Sequence, residues 1–206
     1  MIRWLSMVLI LSTTVSACAA PPTPVATPSA VPDQAAVEHP APDLAIREGW
    51  TLHRDEANGF ALAYPQTTAQ PTLGGEPVFS LTLPADPSTN VVEESIAVRI
   101  VPPGQPCTSP LGYGFVAEDL TPVTVELGGL AWLRQTYSGV AAGTASTWVA
   151  YSTSRGDHCV SLDYTLRTFD PANLDPTRFP TPPVTVDQPR KAQDFEAIVA
   201  TFTWLP

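Results

Sequence analysis

The chain has 206 residues, of which 44% are hydrophobic and 15% are charged, a composition that predicts a globular domain with a full core. Its formal net charge is −10, and Lys191 is its only lysine. Nucleic acids and anionic lipid headgroups both attract basic patches, so the charge argues against both kinds of partner.

The N-terminal segment has the features of an export signal. Arg3 precedes an apolar stretch at residues 7–11, and Val-Ser-Ala at 15–17 stands directly before Cys18. The stretch is far shorter than the about 20 residues of a membrane-spanning helix. It resembles the signal and lipobox of bacterial lipoproteins, with an ordinary secretory signal as the alternative. That resemblance implies cleavage after residue 17, lipidation of Cys18 by acyl chains such as palmitate, and an extracytoplasmic protein anchored to the cell membrane.

Residues 18–45 predict a tether rather than a folded element. They are rich in Pro, Ala, Thr and Ser and show neither a helical nor a strand period. Such a segment spans between about 30 Å as a flexible coil and about 80 Å as extended polyproline. The predicted organisation is therefore a signal peptide at 1–17, the lipidated cysteine and tether at 18–45, and one globular domain at 46–206.

The cysteines predict one disulfide bond. With Cys18 assigned to lipid, Cys107 and Cys159 remain, and export places them in an oxidising compartment. Their bond would close a loop of about 50 residues, which the chain-entropy model values at about 4 kcal/mol. A metal or redox pair is the alternative, but the chain has no CxxC spacing.

The elements follow in chain order. Strands are predicted on both sides of the Asn58-Gly59 turn, then at 77–83 and 95–101. A Pro- and Gly-rich loop at 102–114 carries Cys107, and a short helix is predicted near 116–120. A meander of antiparallel strands follows, and we expect it at 123–127, 130–138, 146–152 and 159–167.

The C-terminal part predicts a packing helix. After a proline-rich loop at 169–189, the residues Phe195, Ile198 and Val199 follow a helical i, i+3, i+4 pattern within 190–201, and a short strand follows at 202–204. Strands followed by a late helix predict an α+β fold, an antiparallel sheet with one or more packing helices. An all-β sandwich is the alternative.

Two motifs resemble one family of small exported domains. NGFALAYP at 58–65 is similar to the opening motif of domains with the PsbP/Mog1-like fold, and FEAIVATFT at 195–203 is similar to their closing helix and strand. The resemblance covers about residues 50–204 and implies an antiparallel sheet sandwiched by helices. Members include photosystem accessory subunits, a nuclear-transport factor and lipoproteins, so the family implies no single activity.

The sequence contains no recognisable catalytic motif, and we identify no catalytic residue, metal ligand or cofactor site in it. A catalytic triad would require His53 or His158 to meet a serine and an aspartate. Glu93-Glu94 with Glu118-Asp119 could supply calcium ligands, but their spacing matches no known loop. The aromatic residues Trp132, Trp148 and Tyr151 form a candidate binding surface if they are exposed, and core packing is the alternative.

Three functions are compatible with these features. The first is a lipid-anchored extracytoplasmic domain without catalytic activity, which binds a protein partner of the cell envelope or assists an assembly. The second is a small-molecule or lipid binder that uses a cleft between the sheet and a helix, and a pocket lined by Trp132, Trp148 and Tyr151 would favour it. The third is an envelope hydrolase.

Overall fold

The structure, a computed structural model, describes residues 47–66, 71–111 and 121–206. The predicted signal peptide, tether and helix near 116–120 lie outside the described residues, as do Cys18, Glu118 and Asp119. Within the described residues the elements in chain order are β1 (Trp50–Asp55), β2 (Phe60–Pro65), β3 (Thr72–Leu73), β4 (Phe79–Thr82), β5 (Val91–Val101), β6 (Val123–Leu127), β7 (Leu130–Ala141), β8 (Thr144–Arg155), β9 (His158–Phe169), α1 (Gln188–Val199) and β10 (Thr203–Trp204).

Seven antiparallel strands form the large sheet, in the order β3-β4-β5-β9-β8-β7-β6. Tight turns join β6, β7, β8 and β9 as consecutive hairpins, which confirms the predicted meander. The four central strands have 11 or 12 residues each. They therefore extend well beyond the edge strands and form a long platform with two distinct ends.

A second sheet of three strands has the order β1-β2-β10. The turn between β1 and β2 is the predicted one, and the Asp55 carboxylate accepts hydrogen bonds from the backbone N–H and the side-chain amide of Asn58. Residues 60–64 of β2 are all buried, because β2 lies between two strands and also packs against the core.

The core lies between the large sheet and a layer made of the small sheet and α1. In α1 the buried residues are Phe195, Ile198 and Val199, as the sequence predicts. The Phe195 ring stacks on Tyr164 of β9, with centroids 5.3 Å apart. Asp187 caps the helix by accepting from the N–H of Arg190. The fold is thus α+β, an antiparallel sheet with a packing helix, and no helix of the described residues is long and apolar enough to cross a bilayer.

Candidate functional site

The predicted disulfide bond is present. Cys107 and Cys159 are joined with their Cα atoms 5.6 Å apart, and the bond fixes loop 102–111 to the start of β9. We call this end of the large sheet, where β5 ends and β9 begins, the disulfide end. Cys18, the predicted lipidation site, lies outside the described residues.

Loop 102–111 runs across the face of the large sheet that points away from the core. Buried polar side chains lie between this loop and the sheet, each at most 7% exposed: Ser109 of the loop, and Gln135, Ser152, Ser161 and Asp163 of the strands. The Gln135 side-chain oxygen accepts from the Ser109 N–H at 3.2 Å, and the Ser161 hydroxyl donates to Asp163 at 3.2 Å. We call this group, together with Arg99, the polar layer.

The only carboxylate of the polar layer, Asp163, is paired with a cation. Its Oδ2 lies 3.0 Å from the Arg99 Nε, and Arg99 also pairs with the exposed Glu76 at 2.8 Å. Burial raises the pKa of Asp163 to about 6, although hydrogen bonds from Ser109 and the charge of Arg99 oppose the shift. Ionisation of Asp163 is therefore costly in the folded chain.

We expect this carboxyl to give the domain an unusual pH dependence. Because the pKa of Asp163 is about 6 when folded and 3.8 as a free side chain, its contribution to stability is fully present below pH 3.8 and is lost as the pH rises to 6. The Asp163→Asn variant cannot titrate there. Between about pH 4 and 7 the wild type should lose up to about 3 kcal/mol more unfolding free energy than this variant. Urea unfolding across that range measures the difference, and parallel profiles would contradict the expectation.

A cleft of about 420 Å³ adjoins the disulfide bond and is lined by loop 102–108, Leu133, Ser154 and residues 156–159. His158 lies in it, exposed, and no hydrogen bond joins His158 to a serine or a carboxylate among the residues that the structure describes. The other candidate, His53, packs against Phe79 with ring centroids 4.8 Å apart, and burial lowers its pKa. The described residues therefore do not form the triad that a hydrolase would need.

The three aromatic residues predicted as a binding surface do not form one in this structure. Trp132, Trp148 and Tyr151 are each at most 1% exposed. Trp132 and Tyr151 meet edge to face in the core, with ring centroids 6.3 Å apart. Trp148 lies on the opposite face of the sheet, because side chains alternate along β8 and residues 148 and 151 differ by an odd number. These three side chains therefore do not line the pocket that would have favoured the small-molecule hypothesis.

Titratable groups on the core side hold α1 against the sheet. The Glu94 carboxylate is 4% exposed and accepts from the Lys191 ammonium and the Tyr164 hydroxyl, both at 2.9 Å. The Tyr151 hydroxyl donates to Glu196 at 2.7 Å. Burial, reinforced by the nearby carboxylates, raises the pKa of both phenols, so they stay protonated. Glu94, considered above as a calcium ligand, instead pairs with the single lysine of the chain.

The opposite end of the large sheet is built around one buried amide. Asn90, 4% exposed, precedes β5, and its side chain donates to the Phe169 carbonyl and accepts from the Val186 N–H. These bonds join the start of β5, the end of β9 and the loop before α1. The turn between β7 and β8 lies at the same end, since Thr144 is paired with Phe169. We call residues 83–92, 138–147 and 169–187 the hairpin end.

The hairpin end exposes most of the large apolar side chains on the surface of the described residues. Six large apolar side chains are exposed among the described residues. Four of the six lie at the hairpin end: Val92, Val140, Phe179 and Val184. Val140 is 81% exposed near the hairpin turn, and Val92 projects from a bulge in β5. Large exposed apolar patches mark interaction sites, and these four side chains share one end of the sheet, which makes that end the candidate interaction surface. The sequence analysis missed this surface, although Val140 between small residues at 138–143 is a local signal for it.

Comparison with known protein families and with curated proteins finds no match. Among solved structures, the chain is similar to a protein of Bacteroides thetaiotaomicron VPI-5482, with 13% identity, a TM-score of 0.40, and coverage of 72% of this chain and 46% of that one. The chain thus spans less than half the length of that protein. It is also similar to LpqN of Mycobacterium tuberculosis, which is involved in cell envelope biogenesis, with 15% identity, a TM-score of 0.34, and coverage of 80% and 83%. At these TM-scores neither similarity carries an argument, and membership of the PsbP/Mog1-like family stays a prediction.

Proposed function

We propose that this chain is a lipid-anchored extracytoplasmic domain that binds a protein partner of the cell envelope, or assists an assembly there, and has no catalytic activity. The hairpin end is the proposed contact surface. The membrane anchor is Cys18, and the segment 18–45 is the tether that lets the domain reach its partner.

The exposure of four large apolar side chains at the hairpin end is the observation that carries this proposal. The centre of a protein interface is more apolar and less charged than the rest of the protein surface, so exposed apolar side chains suit that position. An exposed valine on a rigid hairpin loses little conformational freedom when it is covered, because its β-branched side chain is already restricted.

Two further observations support the proposal. The Cys107–Cys159 bond is in keeping with an oxidising, extracytoplasmic compartment, which agrees with the lipobox at residues 15–18. The buried carboxylates Glu94 and Asp163 are engaged in ion pairs that hold α1 or adjoin the disulfide loop. Both carboxylates thus have partners within the fold, and the proposal assigns neither of them a catalytic role.

Chemical cross-linking in intact cells tests the proposal. We expect the full-length chain to yield a discrete cross-linked partner, and we expect Val140→Asp to reduce its yield about tenfold, the change that a loss of 1.4 kcal/mol produces. Val123→Asp is the matched control, because Val123 is also an exposed strand valine, 59% accessible, but lies outside the hairpin end. The Cys18→Ala form is the unanchored control and should lose both membrane attachment and the partner.

The outcome is decided by the comparison between the two valine variants. Loss of the partner in Val140→Asp alone would support the hairpin end as the contact. Equal yields in Val140→Asp, Val123→Asp and the wild type would contradict it. A discrete partner that persists in Cys18→Ala would contradict the role of the anchor.

A further inference from the structure

We infer that the protein partner meets the hairpin end with a basic surface, in which positive side chains flank an apolar centre. This inference rests on the proposed function and goes beyond it by assigning the chemistry of the partner. It depends on the charges that surround the four exposed apolar side chains.

Four exposed aspartates lie at the hairpin end: Asp86, Asp170, Asp175 and Asp187. Each accepts a hydrogen bond from a neighbouring residue, which holds its carboxylate in place. Hydrogen bonds from Ser88 and Thr177 lower the pKa of Asp86 and Asp175, so both stay ionised well below neutral pH. The negative charges are therefore fixed in position before any partner arrives, and binding does not have to order them.

Few positive charges offset these aspartates. Arg178 is the one exposed cation within the hairpin end. Of the basic residues that border it, Arg167 pairs with Glu93 at 3.0 Å, Arg190 with Asp194 at 3.3 Å and Lys191 with Glu94 at 2.9 Å. Lys191 also lies close enough to Asp86 to interact with it, but its ammonium is already bound to Glu94. The segments of the hairpin end thus carry an excess of negative charge together with their exposed apolar side chains.

This charge selects among the surfaces that could cover the apolar side chains. A second copy of the chain, docked through the same end, would bring two sets of aspartates together, and like charges at an interface are unfavourable. A bilayer with anionic headgroups would be repelled for the same reason. A basic protein surface gains from both the apolar contact and the charges, and attraction at long range accelerates its association.

The experiment places a photoreactive benzoylphenylalanine at position 140 of the full-length chain in native membranes. Its matched control carries the same group at position 123. The charge test replaces the four aspartates by asparagine, because asparagine keeps the side-chain oxygen that accepts each local hydrogen bond and removes only the charge. Equal thermal unfolding of the aspartate and asparagine forms shows that the fold is retained. Photocrosslinking at increasing salt of the form that keeps all four aspartates tests the role of charge independently, because it requires no aspartate substitution.

We expect position 140 to form an adduct whose mapped peptide lies beside basic residues of another protein. Its yield should fall at least about threefold in the four-asparagine variant and when sodium chloride rises from about 0.05 to about 0.5 M, where screening is strong. If position 140 forms an adduct with a protein and the yield of that adduct is unchanged by both treatments, this inference is overturned and the proposed function stays intact. Three outcomes would overturn both the inference and the proposed function. Position 140 could form adducts only with lipid, it could form them only with a second copy of the chain, or its adduct yield could be no higher than that at position 123.

Discussion

Removing the Cys107–Cys159 bond is expected to lower the unfolding free energy of the domain by about 4 kcal/mol. The bond closes a loop over a sequence separation of 52 residues, so its loss returns a large conformational entropy to the unfolded chain. Beside the disulfide bond, Ser109 joins the loop to the sheet through hydrogen bonds with Gln135 and Asp163. Urea unfolding of the mature chain without Cys18 measures the loss.

Two serine variants and a chemical control separate the contribution of the cross-link to the unfolding free energy from that of the cysteine side chains. Cys107→Ser and the double variant Cys107→Ser/Cys159→Ser should lose the same free energy, because either one removes the bond. The wild type should match them after reduction by a dithiol. A double variant that is no less stable than the oxidised wild type would show that the cross-link contributes nothing.

The loss should be accompanied by local opening at the disulfide end. Without the bond, loop 102–111 is expected to separate from the sheet more often than the sheet unfolds, because the loop has no strand pairing of its own with the sheet. Amide hydrogen exchange at Ser109 would then become faster by a larger factor than exchange in β9. Equal acceleration in both places would indicate that the loop and the sheet unfold as one unit.

Local sequence patterns predicted most of the secondary structure of this domain. The Asn58-Gly59 hairpin, the meander and the face of α1 each depend on residues within about ten positions of one another, so turn chemistry and periodicity are sufficient. The strands β7 and β8 are longer than predicted, because the turn between them is only Ala142-Gly143. The predicted strands ended at residue 138 and began again at residue 146.

The candidate site was less predictable because it depends on distant residues. The Lys191–Glu94 pair joins positions 97 apart, and the bonds of Asn90 join segments 79 and 96 residues away. No local pattern reveals such pairs. The error at Trp132, Trp148 and Tyr151 has a different origin, since composition alone does not tell a buried aromatic residue from an exposed one. The alternation along β8 was available, however, and places residues 148 and 151 on opposite faces.

The turn between β6 and β7 should be intolerant of any side chain at Gly128. Its φ of +61° lies in the left-handed region, which costs other residues about 1–2 kcal/mol. A Cβ at this position would also press on the carbonyl oxygen of Ala200 and lie 2.9 Å from the carbonyl carbon, where α1 ends. Backbone cannot move aside as a flexible side chain can, and overpacking typically adds about 1–3 kcal/mol. Gly128→Ala is therefore expected to lower the unfolding free energy by roughly 2–5 kcal/mol.

A variant of the neighbouring glycine separates the backbone cost of a positive φ from the steric cost of the added Cβ. Gly129 has a φ of +79°, but a Cβ there would have no heavy atom within 4 Å, so Gly129→Ala should show only the backbone cost of about 1–2 kcal/mol. The difference between the two variants, measured by urea unfolding, is the steric cost of a Cβ at position 128 against the carbonyl of Ala200. Equal losses would show that the turn does not hold the helix. A larger loss at Gly128 would mean that α1 is fixed at both ends, by Glu94 and Lys191 near its start and by Ala200 against the turn at its finish.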